Sequence, residues 1–176
     1  MKKILVLILI LTFSFSVKSQ TKTVSYTDSG FVAAFPVAPV IDKSELNSEL
    51  GKIAVTSYQS EGEDYVILVS ENIYPAVFEN KMEGALVKGM IDGAKNGAIK
   101  NLESQLKMKY KKIADEDFLF NGKYTANKSS GTLGDIQVST LCIMKKNHFY
   151  LVMTLGNTLA EGVQTFSKTF NLIENN

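Results

Sequence analysis

The strands this sequence can form are apolar on both sides. Between Phe149 and Leu155, one face carries Phe149, Leu151, Met153 and Leu155 while the other carries Tyr150 and Val152. Ile53 to Tyr58 and Tyr65 to Val69 repeat the pattern. Successive side chains alternate across a strand, so a strand apolar on both faces needs packing on both. A sheet with one solvated face is therefore excluded as the core of this chain.

These strands come in pairs. In GKIAVTSYQSEGEDYVILVSE two β-rich runs flank Ser60 to Asp64, and in IQVSTLCIMKKNHFYLVMTLG Lys145 to His148 separate two more. Short connections of this kind make the neighbours antiparallel. Helices are predicted to cover them. Thr158-Leu159-Ala160-Glu161 fits a capping box, and behind it Leu159, Val163, Phe166, Phe170 and Ile173 form one apolar stripe. A longer helix is predicted to open at Pro75, with Phe78, Met82, Leu86, Met90, Ala94 and Ala98 turned inward.

Beside that stripe runs another, Gly89, Gly93 and Gly97. An interior glycine costs a helix ~1 kcal/mol relative to alanine, so three of them require an explanation. Close packing of the helix on its own sheet is one reading, and approach by a ligand or partner is the other. The neighbouring apolar stripe favours packing. QLKMKYKKI reads as a strand with Leu106, Met108 and Tyr110 on one side and a row of lysines guarding an exposed edge on the other. GFVAAFPVAP reads as an opening strand ended by Pro36 and Pro39, placed at an edge or terminus of the sheet.

The first residues, MKKILVLILILTFSFSVKSQ, have the layout of a secretory signal peptide: Lys2 and Lys3, an apolar run from Ile4, then Val17-Lys18-Ser19 before a cut ahead of Gln20. The apolar run is short of the ~20 residues that span a bilayer, so no stable membrane insertion is expected after cleavage. Residues 1–19 are thus assigned to the signal and 20–176 to a single domain, exported to the periplasm or beyond. Cleavage removes three lysines and leaves 16 basic residues against 18 acidic ones, a net charge of about −2. All basic residues are lysines. A nucleic-acid binder wants a basic excess and arginine forks, so that class is set aside.

Chemistry-bearing residues are sparse. The one histidine, His148, falls in a lysine-flanked turn without a histidine partner for zinc or a nucleophile elbow for a triad. The one cysteine, Cys142, lies in an alternating run and reads as a buried small hydrophobe. Glu61 to Asp64 and Asp115-Glu116-Asp117 read as solvated hairpin tips, lacking EF-hand spacing. Nucleotide-cradling glycine motifs are absent. Asn127-Lys128-Ser129 matches a glycosylation acceptor. No catalytic residue, metal ligand or cofactor is assigned.

One resemblance emerges from element order. Phe31 to Pro36 form a phenylalanine-rich strand closing on proline, followed by a long hairpin with Tyr58 and Tyr65 near its turn. A Gly/Ala-rich helix ending near Asn96-Gly97-Ala98, a lysine-bearing strand, Phe120 to Tyr124, a hairpin with His148-Phe149-Tyr150-Leu151, and a final helix with Phe166 and Phe170 complete the order. The chain from Phe31 to Phe170 resembles the PsbP-like superfamily, in particular its small secreted bacterial members. The resemblance implies an α/β/α sandwich, an antiparallel central sheet with helices on both faces, and action through binding surfaces rather than catalysis. The expected function is a non-enzymatic binding or accessory module of the cell envelope, with an envelope protein as partner. The alternatives are a small-molecule carrier with a pocket between the long helix and the sheet, and a hydrolase without a recognisable motif.

Overall fold

The structure, a computed structural model, describes residues 23–79 and 84–174. The signal-peptide assignment therefore lies outside the described residues, as does Met82. Among the described residues ten strands and two α-helices follow one another: β1 (Val24–Tyr26), β2 (Phe31–Ala33), β3 (Val40–Ser48), β4 (Gly51–Glu61), β5 (Tyr65–Ile73), α1 (Gly84–Leu106), β6 (Tyr110–Phe120), β7 (Tyr124–Leu133), β8 (Ile136–Lys145), β9 (His148–Gly156), α2 (Glu161–Thr169) and β10 (Asn171–Leu172). Seven strands form one antiparallel sheet in the order β3-β4-β5-β9-β8-β7-β6, and β1-β2-β10 form a separate small sheet. The two hairpins predicted from sequence are β4–β5 and β8–β9, and their inner strands β5 and β9 pair with each other at the sheet centre.

The two-faced strands do receive cover on both sides, but the expected α/β/α sandwich is not what supplies it. The fold is β-rich, and one face is covered chiefly by extended chain. There the small sheet packs Tyr26 and Phe31 onto Tyr58 in a ring cluster with centroids 4.8 to 5.0 Å apart. Phe35, Phe166 and Phe170 extend the cluster to α2, a helix of nine residues. Ile67, Val69, Ala126, Ile143, Tyr150 and Val152 form the floor beneath it. Aromatic rings on strands bury as much area as a helix face would, so the sequence pattern demanded a cover without specifying its backbone. On the opposite face α1 lays Val87 and Ile91 on Cys142, Met144 and Phe149.

Several local expectations are corrected. The stretch GFVAAFPVAP does not open the main sheet: β2 is the middle strand of the small one, with Val24 to Tyr26 on one side and Asn171–Leu172 on the other. Pro36 ends it where the chain meets α2, and a Cβ on Gly162 of that helix would lie 2.7 Å from the Pro36 ring. Helix α2 has no side-chain cap; its N-cap is Ala160, and Thr158 bonds Gln137 across to β8 at 2.5 Å. Leu159 is 78% exposed and takes no part in the stripe. Pro75 precedes a short 3-10 turn, Ala76–Phe78, and the strand predicted from Leu106 begins only at Tyr110. Its place is nonetheless an edge of the sheet, as its lysines suggested.

Candidate functional site

The four strands β9-β8-β7-β6 are not fully covered on the α2 face. Between them and α2 runs an open groove of about 730 Å³. Its apolar walls are Phe118 and Phe120 from β6, Leu141 from β8, Val152 from β9, and Val163 and Phe166 from α2. Ser130, Thr132, Ser139 and Thr154 line it from the strands, and Gln137 with Gln164 stand near the Thr158 end. Alternation explains the composition: Lys128, Ser130 and Thr132 share one face of β7, while Asn127 and Ser129 point to α1. A bulge between Lys112 and Ala114 shifts β6 out of simple alternation and brings Ile113 to the groove. Among the described residues Lys128 is the only charged one in the lining. Its cross-strand neighbour is Glu116 on β6, and no ion pair joins them.

A second, smaller cavity of about 290 Å³ lies at the other end of β9. His148 lines it, and behind His148 the carboxylate of Glu71 is buried, with 1% of its side chain exposed. Glu71 Oε1 stands 2.7 Å from His148 Nδ1, within hydrogen-bond distance. Tyr150, fully buried alongside, has its phenol pushed up by burial and then by the Glu71 charge and hydrogen bond. Lys123 pairs with Glu174 at 3.1 Å and Lys146 with Glu79 at 2.9 Å around the rim, while Lys145 donates to the Ile173 carbonyl. The Tyr124 hydroxyl donates to Glu174 at 2.8 Å. A carboxylate-held imidazole is the geometry of a general base. No serine, threonine or cysteine lines this cavity among the described residues, and each rim cation already has a partner. The imidazole gives the buried Glu71 carboxylate a hydrogen-bond partner.

The remaining sequence candidates disperse. Cys142 is completely buried beneath α1, and burial pushes its thiol up to about 12. Asp115 and Asp117 are not at a hairpin tip: they lie mid-strand on β6, facing α1, where Lys95 donates to Asp115 at 2.8 Å and to Asn127 Oδ1 at 2.9 Å. Asn127 in turn donates to Asp115 and Asp117, both at 2.8 Å, and at 3% exposure it is no glycosylation acceptor in this fold. Gly62 to Asp64 do form a turn, with Glu61 the last residue of β4, and it is tied to the β9 end by Asn157 donating to Asp64 at 2.7 Å. The glycine stripe faces away from the sheet: a Cβ at Gly89, Gly93 or Gly97 would meet nothing within 4 Å, so close packing does not explain it.

Sequence reasoning missed the buried Glu71 that pairs with the partly exposed His148, and the buried Lys95. Both carried a signal. Glu71 follows Ile67 and Val69 at strand period, which turns it inward, and Lys95 follows Val87 and Ile91 at steps of four. Among the described residues no three metal-ligating side chains cluster, and no helix is long and apolar enough to cross a membrane. Compared with known proteins, the chain matches no family model and no curated protein.

Proposed function

We propose that this is an exported, non-enzymatic binding protein that carries an amphipathic ligand, apolar in body and anionic in head, in the groove between α2 and the β6–β9 strands. The observation that carries this reading is the groove's lining: phenylalanine and aliphatic walls, hydroxyl and amide groups along the strands, and a single unpaired cation, Lys128. Its volume of about 730 Å³ suits a small molecule, for which pockets run to roughly 300–1,000 Å³. The groove borders the short C-terminal helix rather than the long one that the sequence pointed to.

Titration with a fluorescent long-chain carboxylate and with the matching alcohol tests it. Both are expected to bind the wild type. Lys128→Gln is expected to weaken the carboxylate about fivefold, the factor for ~1 kcal/mol at an exposed ion pair, and to leave the alcohol unchanged. Failure of both probes to bind the wild type overturns the carrier reading, and equal loss of both in the variant overturns the assignment of the head group to Lys128.

A further inference from the structure

The two edges of the main sheet differ in a way that concerns association. Edge strands present unpaired N–H and C=O groups and are usually blunted by bulges, charges or proline. Strand β6 is blunted: it carries the Lys112/Ala114 bulge, and Asp115 and Asp117 are tied to α1. Strand β3 is not. It pairs with β4 in unbroken register from Val40 to Ser48, and all nine of its residues are exposed, among them Val40, Ile41 and Leu46.

The register fixes which backbone groups are free. The β3–β4 turn closes on the pair Ser48 and Gly51 around Glu49-Leu50, and a closing pair of this kind exchanges hydrogen bonds. By alternation, Asp42, Ser44, Leu46 and Ser48 direct N–H and C=O to β4, while Ile41, Lys43, Glu45 and Asn47 direct theirs outward. A second β3 running antiparallel, with Ser44 facing Ser44 of the copy, brings outward-directed residues opposite one another. In that arrangement Lys43 of each chain faces Glu45 of the other. Sliding by two residues either way places Lys43 against Lys43 or Glu45 against Glu45, and like charges directly opposite destabilise a ladder. Among the described residues Lys43 has no carboxylate within ion-pair distance in the single chain, whereas Glu45 has only the exposed Lys52 at 3.3 Å.

We infer that β3 is the interface with a second copy of this chain, joined antiparallel about a twofold axis at Ser44 so that the two main sheets become one. Such an interface is isologous: the same strand serves both partners. Residues flanking the axis at Ser44 form a pair without backbone hydrogen bonds, with Cα atoms ~4.5 Å apart, inside the range a disulfide spans. Ser44→Cys is therefore expected to give a covalent dimer on air oxidation, with no interference from Cys142, which is fully buried. Val40→Cys is the control, because the two copies of residue 40 lie eight strand residues apart, about 27 Å. Light scattering on reduced protein supplies the second arm. Lys43→Glu and Glu45→Lys are each expected to shift wild-type dimer to monomer, and the double exchange to restore it. Three results overturn the proposal: no crosslink at residue 44, equal crosslinking at residues 40 and 44, or a double exchange that stays as monomeric as the single variants.

Discussion

Lys95 enters the buried side of α1 on the same stripe as Val87, Ile91 and Ile99, with 6% of its side chain exposed. Burial pulls its ammonium toward the neutral form, yet the hydrogen bond and charge of Asp115, joined by Asp92 at 3.5 Å, outweigh this and hold it charged. Lys95→Met keeps the stem and removes those bonds, leaving Asp115 and Asn127 short of a partner. A loss of about 2 kcal/mol in urea unfolding is expected. The same pairing acts on Asp115, whose carboxyl the Lys95 hydrogen bond brings down from 3.8 to about 2 against the opposing effect of burial. A folded value below the unfolded one stabilises fully above about pH 4, and the stabilisation is lost as pH falls through about 2. Asp115→Asn is therefore expected to flatten the fall in urea midpoint between those pH values, and curves parallel to wild type would contradict the pairing. Cys142, with its thiol raised to about 12, is expected to react with a thiol reagent only on unfolding.

At the scale of elements, the turns and the α2 stripe were legible, with Val163, Phe166 and Phe170 buried as expected, and the phase of α1 was not. The β4–β5 and β8–β9 hairpins were readable because polar turn residues separate β-rich runs of matched length. The phase of α1 was misread because its inward stripe includes Lys95. Counting apolar residues alone selects the neighbouring Leu86, which is 42% exposed. Its glycines then fall on the open side. Gly93→Ala is expected to stabilise by about 1 kcal/mol in thermal or urea unfolding, since the methyl meets nothing and alanine favours helix. Gly131→Ala on β7 is the opposite case. Its Cβ would lie 2.5 Å from the Lys111 carbonyl oxygen, and a loss above 1 kcal/mol is expected because backbone must shift. Neither glycine's setting could be read from the sequence, because it depends on which strand or solvent lies across from it.

Across the whole molecule, the decisive legible fact was that both sheet faces need cover. What supplies it was not legible, because Phe31 and Phe35 pack on Tyr58 and Phe166 from short extended segments that periodicity does not register. Nor was the groove, which exists because α2 and the small sheet stop short of β6. A nine-residue helix cannot roof a seven-stranded sheet. The groove is the central claim, and methyl chemical-shift mapping during titration with a long-chain carboxylate tests it most directly. Saturable shifts are expected at Leu141, Val152, Val163 and Ile113, with Val87 and Ile91 beneath α1 unmoved. Shifts confined to the α1 face, or none at any residue of the groove, would contradict it.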